Sequence, residues 1–134
     1  MAVNNNINLR SRAMAEAFLR GEMTSGYESK LRTLGVKTAP AYKKVADRFV
    51  EWCLHNGKEV ELQTLLLYLH CLHDCGFHAS TLWSMTTALR HFFKYGVINP
   101  NGRPFDIKED IPEVDMALKQ WLKQEEQKQS KVNE

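Results

Sequence analysis

Between Thr38 and Tyr95 the apolar residues recur at intervals of three and four, in three consecutive runs. Tyr42, Val45, Ala46, Phe49, Trp52 and Cys53 form one stripe, backed by Lys44, Asp47, Arg48, Glu51 and His55. Leu82, Met85, Leu89, Phe92 and Phe93 form another, opposite Ser84, Thr87, Arg90, His91 and Lys94. This spacing predicts two amphipathic helices. Between them lie Leu62, Leu65, Leu66, Leu69 and Leu72, with a back of Leu67, Tyr68, Cys71 and Cys75 that is hardly more polar. A helix apolar on most of its surface belongs at the centre. The middle helix is therefore expected to be the buried one, with the outer two packed on it and their polar faces free.

Local punctuation sets the expected boundaries. Thr38 suits an N-cap and Pro40 the first turn of the first helix, which should stop at Asn56-Gly57. The second should run from near Glu61 to Cys75-Gly76, and Ser80 should cap a third ending at Tyr95-Gly96. Residues 97–110, with Pro100, Asn101-Gly102 and Pro104, read as a turn-rich connection. Asp110 and Glu113 resemble a capping box, with Pro112 in the first turn of a last helix reaching about Gln127. Its stripe is Ile111, Val114, Leu118, Trp121 and Leu122. Ahead of the centre, a short helix over Ser11–Glu22 presents Met14, Ala15, Phe18 and Leu19, and one further turn is expected around Tyr27–Leu34. The first eight residues are polar and expected to be disordered or extended. No segment alternates for long, so the expectation is an all-α chain of four main helices plus a short leading one. It divides into an N-terminal arm over 1–37, a helical domain over 38–127 and a frayed tail over 128–134.

With 134 residues and 43% apolar content, one domain can build its own core. No window has the roughly 18 continuous apolar residues of a membrane helix, and the first residues lack a signal-peptide run. Three cysteines, Cys53, Cys71 and Cys75, cannot pair completely, which favours a reducing, intracellular setting. The net charge is only +2, but residues 37–58 carry five Lys and Arg against two acids, while residues 97–134 carry six against eight. A basic half and an acidic tail fit a polyanion bound by part of the surface.

Candidate chemistry is sparse. The run His70–His78 offers Cys71, His73, Cys75 and His78 as metal ligands, but His73 lies well round a helix from the cysteines and no Cys-x-x-Cys knuckle is present. Packing roles are the simpler expectation, with no metal and no cofactor. Ser80, Ser84, His55 and His91 form no nucleophile motif. Asp106, Glu109, Asp110, Glu113 and Asp115 read as charges at helix starts. The polar faces are more informative. Lys43, Lys44 and Arg48 lie outside the first stripe, with Thr38 at its start. Ser80, Thr81, Trp83, Ser84, Thr87, Arg90, His91 and Lys94 cover the start and outside of the third helix. Basic side chains suit phosphates, and hydroxyls near helix starts suit phosphates or base edges. Trp83 fits either a core-edge support or a contact to a DNA sugar or base methyl.

The order of these segments resembles the N-terminal core-binding domain of tyrosine recombinases, the phage-integrase class. The matching pattern is Ala41-Tyr42-Lys43-Lys44 after a threonine, then Phe49 and Trp52, the leucine-rich Leu65–Leu69 with Leu72, and Gly76. Ala79-Ser80-Thr81-Leu82 and Thr87–Tyr95 complete it. The resemblance implies a SAM-like orthogonal four-helix bundle that clamps double-stranded DNA with helices 38–56 and 80–95. It implies a chain that is not itself an enzyme, since the family's nucleophilic tyrosine sits in a separate C-terminal domain; neither Tyr68 nor Tyr95 takes that role. It also implies self-association on DNA through helices 11–22 and 111–127, and residence with DNA in a nucleus or a prokaryotic cytoplasm. The alternatives are a helical protein-interaction module without DNA affinity, or a transcriptional or architectural DNA binder.

Overall fold

The computed structural model describes residues 11–22, 25–97 and 102–132, with side chains for all of these except residue 25 and residues 128–132. The Asn-rich start of the chain and the turn residues Pro100 and Asn101 lie outside the described residues. Among the described residues the protein is all-α, with no strand: α1 (Arg12–Leu19), α2 (Ser25–Arg32), α3 (Thr38–His55), α4 (Leu62–Asp74), α5 (Ala79–Gly96), α6 (Ile107–Asp110) and α7 (Pro112–Val132). No helix of the described residues is long and apolar enough to cross a membrane.

Two helix ends form where their glycines stand. Gly57 (φ 63°) and Gly76 (φ 103°) take the left-handed conformation that ends α3 and α4. The following N–H groups turn back, Lys58 to the Cys53 carbonyl at 2.8 Å and Phe77 to that of Leu72 at 3.1 Å. This is the six-to-one bond of a Schellman cap. Gly96 differs, because it is the last residue inside α5 and is buried. A Cβ there would stand 3.3 Å from both the Phe92 and Tyr27 rings, so its smallness serves packing.

The helix starts depart from expectation. Thr38 is already inside α3; Lys37 precedes it in a helical conformation and no side chain caps the end. Ser80 likewise lies inside α5, which begins at Ala79. Asp110 does not cap α7. Its carboxylate accepts from the Asp106 N–H at 2.9 Å and from Arg103 at 3.2 Å, closing a short helix, α6, where only a connection was expected. Asp106 caps α6 by accepting from the N–H groups of Lys108 and Glu109. The expected single turn around Tyr27–Leu34 is the two-turn helix α2, and α7 continues to Val132 instead of fraying after Gln127.

The centre of the molecule is α5, not α4. α5 packs on α2, α3, α4 and α7, and most extensively on α3. It buries Leu82, Leu89, Phe92 and Phe93 on one side, while Ala79, Ala88 and Gly96 let neighbours approach closely. α4 buries only Thr64, Leu65, Tyr68 and Leu69 and leaves Leu67 42% exposed. Hydrophobicity all round permits a central position without creating one, because burial needs neighbours on every side.

The leading helices belong to the same core. Phe18 is fully buried, with its ring centroid 5.4 Å from Phe92 and 6.1 Å from Tyr27. Tyr27 is 1% exposed and meets Phe92 edge-on at 5.5 Å. Trp121 on α7 is also buried, stacked on His73 at 4.2 Å and met edge-on by His70 at 5.0 Å. Phe18 and Trp121, on the two helices considered for self-association, are thus buried in the core of this molecule.

Candidate nucleic-acid interface

α3 and α5, the two helices expected to face DNA, pack directly against each other. The position of each expected contact residue follows from which side of its helix the neighbours cover. On α3, Ala46, Phe49, Val50 and Cys53 enter the core, so Lys44, Arg48, Glu51 and His55 are left outward. On α5, the exposed positions are Ser80, Thr81, Ser84, Thr87 and Lys94. Among the described residues Lys44, Arg48 and Lys94 have no carboxylate partner. Thr38 is exposed as well. Thr87 donates its hydroxyl to the Trp83 carbonyl at 3.2 Å, which keeps its oxygen free to accept.

Four other members of the expected set are engaged inside the protein. Lys43 reaches Asp47 at 2.5 Å and lies 4.5 Å from the centroid of the Phe18 ring, so it covers the core between α1 and α3. Arg90 pairs with Asp115 on α7 and is only partly exposed, with its Nε buried and unpartnered. Trp83 is half-buried against the core. His91 is ringed by Tyr95 at 4.8 Å and by Tyr27 and Tyr42 at 5.7 Å each. Burial, reinforced by the charges of Lys94 and Lys30 and opposed by a hydrogen bond with the Lys30 backbone, lowers the His91 pKa below the ordinary histidine value. The ring is therefore neutral at physiological pH and adds no charge to the surface.

The start of α5 already holds an anion. The Ala79 N–H donates to Glu125 Oε1 of α7 at 2.9 Å, and His78 Nδ1 stands 4.0 Å from the same oxygen. Glu125 thus supplies the cap expected of Ser80, and a phosphate arriving beside Ser80 and Thr81 meets a carboxylate. The outward surface suited to phosphate is the middle and end of α5. Glu125→Ala is expected to lower stability by about 1 kcal/mol, the usual contribution of a helix cap. The check is a lower urea midpoint with an unchanged slope.

In the cysteine–histidine run only Cys71 and His73 are half-buried, whereas His70, Cys75 and His78 are exposed, which departs from the expectation of packing roles. His70 and His73 hold Trp121, and His78 approaches Glu125. Cys53 is buried, Cys71 half-buried and Cys75 exposed, all three free. Burial pushes the Cys53 thiol up to about 12, which makes it a poor nucleophile. Among the described residues no group of three His, Cys, Asp or Glu side chains is placed to hold a metal. A cleft of about 470 Å³ lies between the end of α5 and residues 103–110. Its cations are largely neutralised, Arg90 by Asp115 and Arg103 by Asp110.

Sequence reasoning missed Lys30, Tyr42 and Tyr95 as neighbours of this surface. Lys30 and Lys94 each lie 5.3 Å from the Tyr95 ring centroid. Nothing local marks Lys30, because its partner is on a helix some sixty residues later. No family model matches this chain, and no match is found among curated proteins or solved structures.

Proposed function

We propose that this protein is a non-catalytic DNA-binding domain built on the plan of the tyrosine-recombinase core-binding domain, a SAM-like four-helix bundle with extra leading helices. It is either part of such a recombinase or a stand-alone relative. The observation that carries this reading is the chemistry of α5. Its eighteen residues contain no aspartate or glutamate, and its outward positions are hydroxyls and a lysine. An exposed helix surface ordinarily mixes both signs of charge, as α7 does. An acid-free one, with Lys44 and Arg48 unpaired on the neighbouring helix α3, suits the negative surface of a duplex.

In this reading Lys44, Arg48 and Lys94 contact phosphates, and Ser84 and Thr87 face base edges or sugars. The test is a titration of duplex DNA at two salt concentrations. Lys44→Ala with Arg48→Ala is expected to weaken binding to all sequences alike and to reduce the salt slope by about 2, one for each phosphate no longer neutralised. Lys123→Ala, exposed on α7, serves as the control. An unchanged slope in the double variant sinks the proposal for α3.

A second reading has its own observation. Leu67 and Phe77 are 42% and 41% exposed at α4 and its end, and residues 62–73 carry no Asp, Glu, Lys or Arg. A helix without charge up to its last residue, with exposed large apolar side chains, suits a protein-interaction module. Absence of any salt-dependent duplex binding by the unaltered protein favours that reading.

A further inference from the structure

Lys30 comes from α2 and Lys94 from the last turn of α5, yet both ammonium groups stand 5.3 Å from the centroid of one ring, Tyr95. They are therefore no further apart than twice that distance. Among the described residues neither has a carboxylate within ion-pairing reach. Arg12 on Glu16, Lys43 on Asp47 and Arg90 on Asp115 are by contrast paired. The ring face attracts each cation but carries no counter-charge. The His91 ring lies 4.8 Å from that of Tyr95, and its Nδ1 is buried without a hydrogen-bond partner. A bound anion supplies the counter-charge that neither lysine has.

We infer that Lys30 and Lys94, with Tyr95 between them, form a phosphodiester-binding site that carries the proposed DNA face from α5 onto α2. The inference rests on the DNA-binding reading above. Adjacent phosphates take one ammonium group each, while the part-exposed Tyr95 ring offers an apolar seat for the intervening sugar. No base edge is involved, so the contribution is the same for every sequence.

The test uses the full chain and a mixed-sequence duplex. Both lysines are exposed, so Lys30→Gln with Lys94→Gln should leave the circular dichroism spectrum unchanged. The double variant is expected to lower the salt slope of duplex binding by about 2. Lys30→Arg with Lys94→Arg, which keeps both charges, should restore it. If the Gln variant keeps the full slope while the Lys44 and Arg48 changes reduce it, the site is wrong and the α3–α5 face stands. If the unaltered protein does not bind duplex at all, the site falls together with the reading it rests on. Inorganic phosphate, followed through the Tyr95 ring resonances, separates the sources of the anion. A response to phosphate that the Gln variant abolishes, with duplex binding unaffected, overturns the phosphodiester assignment in favour of a free anion.

Discussion

Phe18→Ala is expected to destabilise the protein by about 3–5 kcal/mol, the range for removing a buried aromatic side chain. The residue is completely inaccessible and its ring packs between Phe92, Tyr27 and the ammonium of Lys43. Truncation leaves a cavity at the junction of α1, α3 and α5, and it removes the ring that Lys43 covers. A domain of this size typically has about 5–15 kcal/mol of stability in total, so the loss is a large share of it. Urea unfolding followed by circular dichroism measures the effect. Were residues 11–22 a loosely attached arm, the same change would shift the midpoint by no more than about 0.5 kcal/mol, as surface substitutions do. That result would remove α1 from the core.

Trp121→Ala should be nearly as damaging, again about 3–5 kcal/mol. Trp121 is 7% exposed and fills the space beside α4, its ring lying 9° from parallel to that of His73. The stacked and edge-on histidine contacts each contribute roughly 0.5–1.5 kcal/mol beyond the area buried, by analogy with aromatic pairs. His73→Ala should therefore show a smaller loss of about 1 kcal/mol. Mass in solution, measured by ultracentrifugation, should be the same before and after the Trp121 change wherever the variant is folded. A change in association state with stability preserved would instead make Trp121 an anchor between molecules, and the contact with α4 incidental.

These two side chains show why charge and hydrophobicity along the chain mislead about position. Phe18 and Trp121 sit on short or terminal amphipathic helices, which by pattern alone fit a docking arm as well as a core element. The distinction depends on whether this molecule leaves space for them, and that space is formed by residues remote in sequence. The candidate interface shows the same division. Lys44 and Arg48 lie outward, as the polar side of α3 requires. Lys43, one position away, is drawn inward by Asp47 and Phe18.

What the amino-acid order determined by itself was the all-helical character, the approximate extent of the main helices and which stripe of α3 and α5 is apolar. The physical reason is range. A 3.6-residue periodicity and a glycine able to adopt positive φ at positions 57 and 76 act within a turn or two of chain. Only the tertiary structure decided that α5 is central while the more apolar α4 stays partly exposed. It alone decided that Glu125 caps a helix starting 46 residues earlier, and that Lys30 and Lys94 meet over Tyr95. Those outcomes depend on competition between partners for the same space and the same unpaired N–H groups, and that competition exists only once the helices are packed.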